Sequence, residues 1–387
     1  MKDLITDVVH MNKQKYNSLS NKKILYIHKT GKGWGGAQQG VFNLITNFRT
    51  EFRQTVFVCN YGLLFEKIKA LQIKTYYLPF VSIWLFPLSL MILALILIKE
   101  KPDIIHSNHR YATFLTQQLR KLFNFKYKIV HTARNVFYDK KFFNLGDKVV
   151  AITETVRKNL LEQYNIPDEK IKVIHNAIEL KHTTAKNDSN DPLFKMLDAS
   201  QKTIICSIGT FVKRKGHFYL FKAIAQLSPL IQNQIMVLIV GDGQLRQKLE
   251  TLVNNLGLSK IVKFLGFCED IFQILNYCNF NVVTSSQEGQ CRVIIEGYLL
   301  AKPTIAFGLD FAYEIIQSQK SGLIVPLHDI NALARAIQLY VENPDLVKQH
   351  GQFGQKLIAG RFSLKKMLDK YRLVYQELLD TNSKLRG

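Results

Sequence analysis

A chain of 387 residues exceeds the size at which one hydrophobic core stops growing, so two domains are expected. Its 47% hydrophobic and 21% charged residues are typical of globular proteins and exclude disorder over most of the length. The net charge is +22, and residues 1–182 hold 28 basic against 13 acidic side chains, so the N-terminal half is expected to meet an anionic surface.

An anionic membrane leaflet and nucleic acid both fit this charge. The sequence contains no Cys/His finger, aromatic-basic recognition motif or heptad-linked basic region, so we expect no nucleic acid partner. The five cysteines are odd in number and lie mostly within apolar runs, which is typical of buried thiols in a reducing compartment. Residues 1–23 contain no apolar core of signal-peptide length, and together these features predict a cytoplasmic protein.

Short β-branched runs alternate with helical patterns from residue 22 to about residue 180, which predicts a parallel sheet covered by helices on both faces. The predicted strands are KKILYIHK, TVFVCN, DIIHSNH, YKIVHTA, KVVAIT and IKVIHNAI, and the predicted helices are AQQGVFNLITNF, YATFLTQQLRKLF and ETVRKNLLEQY. Gly35 and Gly36 follow the first strand and open a helix, where backbone amides can receive an anion or a sugar hydroxyl. The pair lacks the dinucleotide fingerprint, which disfavours nicotinamide chemistry.

Residues 78–98 are 21 residues without a charge, a length that suits a transmembrane helix. Pro79 and Pro87 interrupt the first half and leave about 12 residues of regular helix, about 18 Å long, against roughly 30 Å for a bilayer core. Three interpretations remain for this segment: a helix buried against the sheet, a helix lying in the membrane interface with Lys99 and Lys101 at the lipid headgroups, and a transmembrane span, which the short regular helix disfavours.

The alternation stops at residues 181–192, KHTTAKNDSNDP, a polar stretch that predicts a linker. A second series of predicted strands follows: TIICSIG, QIMVLIVGDG, KIVKFLGF, FNVVTSS, PTIAFG and GLIVP. The sequence therefore predicts an α/β protein with two doubly wound, Rossmann-like domains facing a central cleft. The expected parts are an N-terminal tail (1–20), an N-terminal domain (21–182), a linker (183–200), a C-terminal domain (201–360), and an amphipathic C-terminal helix (361–387) that could pack back on the N-terminal domain.

A basic loop follows the strand that ends at Gly209. It carries Lys213, Arg214 and Lys215, and three neighbouring cations predict an anion among them. A diphosphate, held by the fork of Arg214 and the point charge of Lys215, fits this loop. The alternative is a solvated basic turn.

Two glutamates flank the turn and helix that follow the predicted strand FNVVTSS. Glu288 precedes Gly289 at the strand's carboxyl edge, and Glu296 lies eight positions further along the chain. Carboxylates at each end, with helix amides between them, would hold a nucleotide sugar by its ribose, diphosphate and hexose. The alternative is one acid at a helix start and a second on the helix surface. Arg292 either reaches a phosphate or pairs with an acid on the helix.

At this point the sequence resembles a known family. EGQCRVIIE resembles the Glu-x7-Glu motif of retaining GT-B glycosyltransferases, family four in particular. SIGTFVKRKG is similar to their phosphate loop, and VGDGQLRQKLE, VKFLGF, HNAIE and the segment from AKPTIAFG to SGLIVPL are similar to their neighbouring segments. The resemblance extends from residue 22 to about residue 380.

The resemblance implies a role for each matching residue. Glu296 would hold the donor ribose, Glu288 the donor hexose, and Arg214 with Lys215 the diphosphate. The further donor-binding candidates are Gly36, Gly209, Gly289 and Arg292. His131 would line the reaction centre, so Glu288 and His131 are the catalytic candidates, with His109 and Arg134 as candidates for the acceptor. Thr210 stands where many relatives have arginine, so the diphosphate contact depends on Arg214 and Lys215.

The implied activity is retaining transfer of a hexose from a nucleotide-diphosphate sugar to a glycan or lipid-linked acceptor, as in lipopolysaccharide or other cell-surface polysaccharide biosynthesis. Neither a metal nor a cofactor is expected, since the family acts without a bound metal and the sequence has no DxD-type cluster. The charge and the apolar segment predict peripheral attachment to the inner face of the cell membrane. The alternatives are a GT-B nucleotide-sugar epimerase and a catalytically inactive binding subunit.

Overall fold

The computed structural model describes residues 19–29, 35–79, 86–137, 145–178, 201–268 and 270–380. Most of the predicted N-terminal tail, the predicted linker at 183–200 and part of the apolar segment 78–98 therefore lie outside the described residues. Two compact units divide the chain: Met1–Ala177 together with Leu364–Gly387, and Ile178–Ser363. We refer to them as the first and the second unit.

The first unit is an α/β unit built on a parallel sheet. Its strands are Lys23–His28 (β1), Gln54–Cys59 (β2), Lys74–Tyr77 (β3), Ile104–Ser107 (β4), Lys128–Ala133 (β5), Lys148–Ala151 (β6) and Ile171–Val173 (β7). Its helices are Gly36–Phe48 (α1), Leu63–Ala70 (α2), Phe86–Glu100 (α3), Arg110–Phe123 (α4), Glu154–Tyr164 (α5) and Leu364–Asp380, which follows the second unit in the chain. The strands lie in the order β3-β2-β1-β4-β5-β6-β7.

The second unit repeats this architecture. Its strands are Thr203–Ile208 (β8), Ile235–Val240 (β9), Val262–Gly266 (β10), Phe280–Val283 (β11), Thr304–Phe307 (β12) and Gly322–Val325 (β13). Its helices are His217–Ala225 (α6), Pro229–Asn233 (α7), Arg246–Asn255 (α8), Ile271–Tyr277 (α9), Arg292–Leu299 (α10), Asp310–Ile315 (α11), Ile330–Glu342 (α12) and Pro344–Ile358 (α13). The strand order is β10-β9-β8-β11-β12-β13, and all the pairings are parallel.

Burial explains why most strands could be predicted from the sequence. Every residue of β9 is buried, as are five of the six residues of β1 and β2, because helices cover both faces of each sheet. β3 is the exception, since its sequence KTYY is half exposed at the edge of the sheet and forms no apolar run. The predicted strand IKVIHNAI is also shorter than expected, because its regular pairing ends at Val173.

The helix Leu364–Asp380, which we label α14, packs on the sheet of the first unit. Tyr371 and Tyr375 are buried, and their hydroxyls lie 3.2 Å from Thr132 Oγ1 and 2.6 Å from His106 Nδ1. At the surface of the same contact, Arg372 donates two hydrogen bonds of 2.8 Å to the carboxylate of Glu51. The last segment of the chain is therefore part of the core of the first unit.

Helix α3 carries most of the described part of the apolar segment. It begins at Phe86, so Pro87 lies in the first turn, where its missing amide hydrogen is tolerated. Leu93 and Leu97 are buried in a cluster with Ile27 and Val58 of the sheet. Among the described residues, no helix combines the length and the apolar character needed to cross a membrane.

Candidate functional site

The cations of the basic loop at residues 213–215 of the second unit surround the carboxylate of Glu288. Lys215 Nζ donates a short hydrogen bond to Glu288 Oε1, Ser285 Oγ donates to the same oxygen at 2.9 Å, and Arg214 Nη1 lies 3.6 Å from it. The side chain of Glu288 is 9% exposed and that of Lys215 15%, whereas that of Arg214 is 45% exposed. The anion expected among these cations is therefore, in the structure, Glu288 itself.

Backbone contacts fix this loop against the end of β11. Residues 213–215 form a single 3-10 turn, and the carbonyl oxygens of Arg214 and Lys215 accept hydrogen bonds from Ser286 N at 2.8 Å and Thr284 Oγ1 at 3.1 Å. Gly216 ends the turn with a φ of +64°, and a Cβ atom there would lie 2.3 Å from the carbonyl oxygen of Thr284. Only glycine fits this close approach without strain.

Gly209 provides the space into which Lys215 folds. A Cβ atom at Gly209 would lie 3.3 Å from Cδ and Cε of Lys215, so the stem of the lysine packs directly over the glycine. Gly241 packs closely against the backbone of Gly209, since a Cβ atom at Gly241 would lie 2.1 Å from the carbonyl oxygen of Gly209. The stem of Lys215 and the backbone at Gly209 are thus closely packed.

Glu296 lies within α10 and pairs with Arg292 one turn earlier. Arg292 Nε donates to Glu296 Oε1 at 3.1 Å, Nη2 lies 3.0 Å from the same oxygen, and the Glu296 side chain is 6% exposed. Of the two alternatives for Arg292, the structure therefore has the pairing on the helix. Cys291 lies between the two glutamates: burial, with a further contribution from Glu288, raises the pKa of its thiol to about 12, and Glu296 acts in the same direction.

The sequence interval between the two glutamates is not one helix. Helix α10 begins at Arg292, and Glu288 and Gly289 precede it in an irregular segment. The structure brings Glu288, Arg214, Lys215 and Gly209 into one cluster at the carboxyl edge of the sheet, with Gly289 directly following the acid. We call this cluster, with Arg292 and Glu296, the sheet-edge cluster.

In the first unit, His131 lies buried near the carboxyl end of β5. Its Nδ1 is 2.8 Å from Thr113 Oγ1, and that hydroxyl is also 3.3 Å from the carbonyl oxygen of His109, to which it can donate. With Thr113 donating to that carbonyl, the imidazole donates from Nδ1 and keeps a lone pair on Nε2. His131 Nε2 is buried and has no hydrogen-bond partner among the described residues.

Burial keeps this histidine neutral. Desolvation, aided by the nearby His109, Arg110 and Arg134, lowers the pKa of His131 to about 3, and burial together with Lys29 lowers the pKa of His109 to about 4. Near neutral pH, the side chain of His131 is therefore an uncharged hydrogen-bonding group.

Arg134 follows β5 and is held by two amides. Its Nη1 donates to Asn176 Oδ1 at 2.8 Å, and its Nη2 donates to Asn108 Oδ1 at 2.9 Å. The residue is 8% exposed. Gly40 of α1 makes room for it, because a Cβ atom there would lie 2.6 Å from Arg134 Nη1. This cation is fixed within the first unit.

His28 was not predicted as a site residue, although it ends β1 directly before the predicted glycine loop. It is 4% exposed, neither ring nitrogen has a hydrogen-bond partner among the described residues, and burial with the neighbouring Arg134 lowers its pKa to about 3. The signal for it was present in YIHK, as a histidine at a strand end. Gly36 opens α1 eight positions after His28 and follows Gly35, whose backbone is extended.

A metal site is not visible in the part of the chain that the structure describes, where no three or more His, Cys, Asp or Glu side chains are grouped as ligands.

Comparison with known proteins identifies the class. Residues 34–182 match the family model "Glycosyltransferase Family 4", and residues 190–357 match the family model "Glycosyl transferases group 1". The two matches follow one another along the chain, and with its two parallel α/β sheets the chain has the GT-B fold and is similar to glycosyltransferases in both parts.

Individual relatives agree with this class. Two lipopolysaccharide core biosynthesis glycosyltransferases of Rhizobium meliloti are similar to part of the chain: LpsE is 29% identical over 168 residues and LpsD is 32% identical over 168 residues. Each alignment covers 43% of this chain and 48% of the relative, so the matched segment spans about half of those proteins.

Solved structures agree on the fold. HepE of Anabaena in complex with UDP and glucose superposes with a TM-score of 0.80 at 20% sequence identity, covering 92% of this chain and 100% of that chain. At this identity the likeness shows the fold alone, which is the predicted GT-B architecture.

Proposed function

We propose that the protein is a retaining glycosyltransferase that transfers a hexose from a nucleotide-diphosphate sugar to a glycan or a lipid-linked acceptor. The single observation that supports this most is the sheet-edge cluster, in which two cations and a buried acid meet at the carboxyl edge of a parallel sheet. That edge is where α/β proteins bind nucleotides.

The donor diphosphate would take over the cations that now neutralise Glu288. Arg214 and Lys215 would bind its oxygens and stabilise the negative charge that grows on the leaving group as the glycosidic bond breaks. Glu288, released from Lys215, would accept hydrogen bonds from hydroxyls of the hexose, and Glu296 would hold the ribose. Retention would follow from attack on the same face, with the departing phosphate oxygen accepting the proton of the acceptor hydroxyl.

His131 would act as a hydrogen-bond acceptor at the reaction centre. Its lone pair on Nε2 suits a sugar hydroxyl, and its neutrality keeps a positive charge away from the oxocarbenium-like centre that forms on the hexose. His109 and Arg134 would contact the acceptor from the same strand ends. The first unit would thus serve the acceptor and the second unit the donor.

UDP-glucose is the first donor to test, because HepE, which has this fold, binds UDP and glucose. A lipopolysaccharide core glycan is the first acceptor class to test, because LpsE and LpsD act in lipopolysaccharide core biosynthesis. We propose that the reaction needs neither a metal nor a cofactor, and that nucleic acid is not a partner.

We also propose that α3 attaches the protein to the inner, anionic leaflet of the cell membrane, in the cytoplasm. Four large apolar residues form an exposed stripe at helical spacing: Leu88, Met91, Leu95 and Ile98 are 40%, 56%, 61% and 48% exposed. Such a stripe on a surface helix fits insertion at the level of the lipid headgroups.

The charges around this stripe favour an anionic surface. The nearby acids are engaged within the protein: Glu100 pairs with Lys74 at 2.7 Å, and Asp103 with Lys22 at 3.5 Å. At the end of the helix, by contrast, the exposed Lys99 and Lys101 have no carboxylate within ion-pair distance among the described residues. The helix therefore presents an apolar face beside uncompensated positive charge.

Nucleotide binding and turnover test the reaction. We expect UDP and UDP-glucose to raise the melting temperature, and a new glycosidic bond with the anomeric configuration of the donor to appear in NMR spectra when lipopolysaccharide core glycan is added. Conversion of the donor without an acceptor would instead indicate an epimerase. A chain that binds no nucleotide diphosphate would be an inactive subunit, and the proposal would be wrong.

Vesicle sedimentation tests the membrane attachment. The protein should pellet with vesicles that contain phosphatidylglycerol, and less so at high salt, because screening weakens the electrostatic part. Leu95→Asp should weaken this binding about tenfold or more. Leu230→Asp is the matched control, since Leu230 is 69% exposed in the other unit. Equal binding of both variants, or no binding at low salt, would refute this part.

A further inference from the structure

Three aromatic side chains meet at the carboxyl edge of β2 and β3. Tyr61 follows β2 by two residues, Tyr77 ends β3, and Phe65 lies in the first turn of α2. The rings of Tyr61 and Tyr77 stack with centroids 4.3 Å apart and planes 19° from parallel, and Phe65 meets Tyr61 edge-on at 5.2 Å.

Both tyrosines are open to solvent. Tyr61 is 64% exposed and Tyr77 is 40% exposed, whereas Tyr26, Tyr371 and Tyr375 of the same unit are at most 1% exposed. Single exposed aromatic residues need no explanation, but two exposed rings that stack on each other form one apolar patch, and such patches mark binding sites. Packing of the core does not account for this pair.

The backbone beneath the pair holds the rings in place. Cys59 is the register partner of Tyr77, and its carbonyl oxygen accepts a hydrogen bond of 3.0 Å from Leu78 N, which joins the two strand ends. The edge-on contact of Phe65, itself 5% exposed, anchors Tyr61 to α2. Rings that are already ordered lose little freedom when a ligand binds, so the pair is pre-organised.

The position of the pair relates it to the candidate acceptor residues. In the sheet order, β2 lies between β3 and β1, and β1 pairs on its other side with β4, which pairs with β5. His28 is the register partner of Cys59 at the end of β1, and His131 lies near the end of β5. The tyrosine pair and the buried histidines therefore share the edge at which ligands bind in such sheets.

We propose that Tyr61 and Tyr77 form an aromatic platform that binds a pyranose ring of the acceptor glycan. One face of a pyranose carries several C–H groups and is apolar, so it packs on an aromatic ring, while the hydroxyls at the rim stay in water or reach neighbouring polar groups. This inference rests on the proposed function, since it specifies a saccharide-binding site within the unit assigned to the acceptor.

Exposed aromatic rings can also stack on a nucleobase, and this alternative is kept as an outcome of the test. In the proposed function, the cations of the sheet-edge cluster in the second unit bind the nucleotide. Within the described residues around the platform, no comparable pair of cations is bound to a buried acid. A neutral sugar ring therefore fits the platform better than a nucleotide.

Saturation-transfer NMR on the full chain tests the platform. The probes are the methyl α-glycosides of glucose, galactose, mannose and N-acetylglucosamine, each measured with UDP present. We expect at least one glycoside to receive saturation mainly at the C–H protons of one ring face. This transfer should fall about fivefold or more in Tyr61→Ala and remain in Tyr61→Phe, because the ring rather than the hydroxyl makes the contact. Phe353→Ala is the matched control, as Phe353 is 40% exposed on α13.

Three results would overturn the platform: no transfer to any glycoside in the wild-type chain, equal transfer in Tyr61→Ala, or Tyr61-dependent transfer to the uridine protons in place of the glycosides. The shift in melting temperature with UDP, measured on each variant, verifies folding. It also separates the two hypotheses, because a chain that binds UDP but no glycoside refutes the platform alone. A chain that binds no UDP refutes the proposed function.

Discussion

Replacing Glu288 by glutamine should separate donor binding from catalysis. The substitution keeps a polar side chain beside Ser285 and removes the negative charge that Lys215 and Arg214 now share. If Glu288 contacts the hexose rather than the nucleotide, Glu288→Gln lowers kcat with UDP-glucose about 100-fold or more while UDP binding is retained.

The structure also gives the expected changes in the free energy of unfolding and in UDP affinity. Breaking a fully buried ion pair costs about 3–5 kcal/mol and breaking an exposed one costs about 0–1 kcal/mol. With Glu288 9% and Lys215 15% exposed, and with an amide left to accept a hydrogen bond, we expect the free energy of unfolding to fall by about 2 kcal/mol. UDP should bind about 3–10-fold more tightly, because Lys215 is no longer neutralised.

Titration calorimetry with UDP, urea denaturation and steady-state kinetics measure the three quantities on one preparation. Glu250→Gln is the control, since Glu250 pairs with Arg246 at 2.9 Å in the same unit but is 41% exposed. UDP affinity that drops tenfold or more in Glu288→Gln would show that this acid serves the nucleotide or holds the cations for it, and the assignment to the hexose would be wrong.

Three further predictions concern single positions. Glu296→Gln should weaken UDP binding about tenfold in calorimetry with kcat changed less than about threefold, because a charged contact to the ribose is lost. Gly216→Ala should lower the free energy of unfolding in urea by about 3 kcal/mol, since the new Cβ would meet Thr284, whereas Gly257→Ala, with a φ of +71° and nothing within 4 Å, should cost about 1 kcal/mol. Stability should fall as the pH drops from 6.5 toward 3, since the buried His131, whose pKa is about 3, stays neutral while the unfolded chain gains a proton; His131→Asn should lose less in thermal melts.

Each of these has a contrary result. A large loss of kcat with unchanged UDP affinity would move Glu296 from the ribose to the reaction centre. Equal costs for the two glycine substitutions would mean that the loop yields at Gly216. Identical pH profiles of the wild type and His131→Asn would mean that other buried histidines, such as His28, carry the acid sensitivity.

Strand positions were predictable because burial on both faces leaves continuous apolar runs. The predicted helix at residues 154–164 coincides with α5, whose start is marked by Thr153, a residue that accepts a hydrogen bond from Val156 N at 3.1 Å. The edge strand Lys74–Tyr77 left no such signal, since its lysine, threonine and tyrosines match an exposed loop equally well.

The residues of the candidate site could be predicted from the sequence, but the ion pairs between them could not. The sequence indicated cations at residues 213–215 and an acid at Glu288, 73 positions away, and proposed a diphosphate as their anion. That Glu288 itself reaches Lys215 depends on where the ends of β8 and β11 lie in the sheet. Arg292 left two possibilities open, and only the helical register of α10 decides for Glu296.

His28, Asn108 and Asn176 were missed for a related reason. Each is a polar residue next to a strand end, a common position that carries no spacing motif. Asn108 and Asn176 become recognisable only because both accept hydrogen bonds from the guanidinium of Arg134. They follow two different strands, β4 and β7. Contacts of this kind depend on the tertiary fold and leave no local trace.

The location of α14 has a consequence for biosynthesis. A ribosome delivers this helix only after the whole second unit, yet Tyr375 and Tyr371 complete the interior around His106 and Thr132. The half of the protein that leaves the ribosome first is therefore the half that matures last, after the second unit has been made. Cutting the gene into two consecutive halves would leave the N-terminal piece with an open core, so a separable N-terminal unit has to be built with α14 rejoined to it.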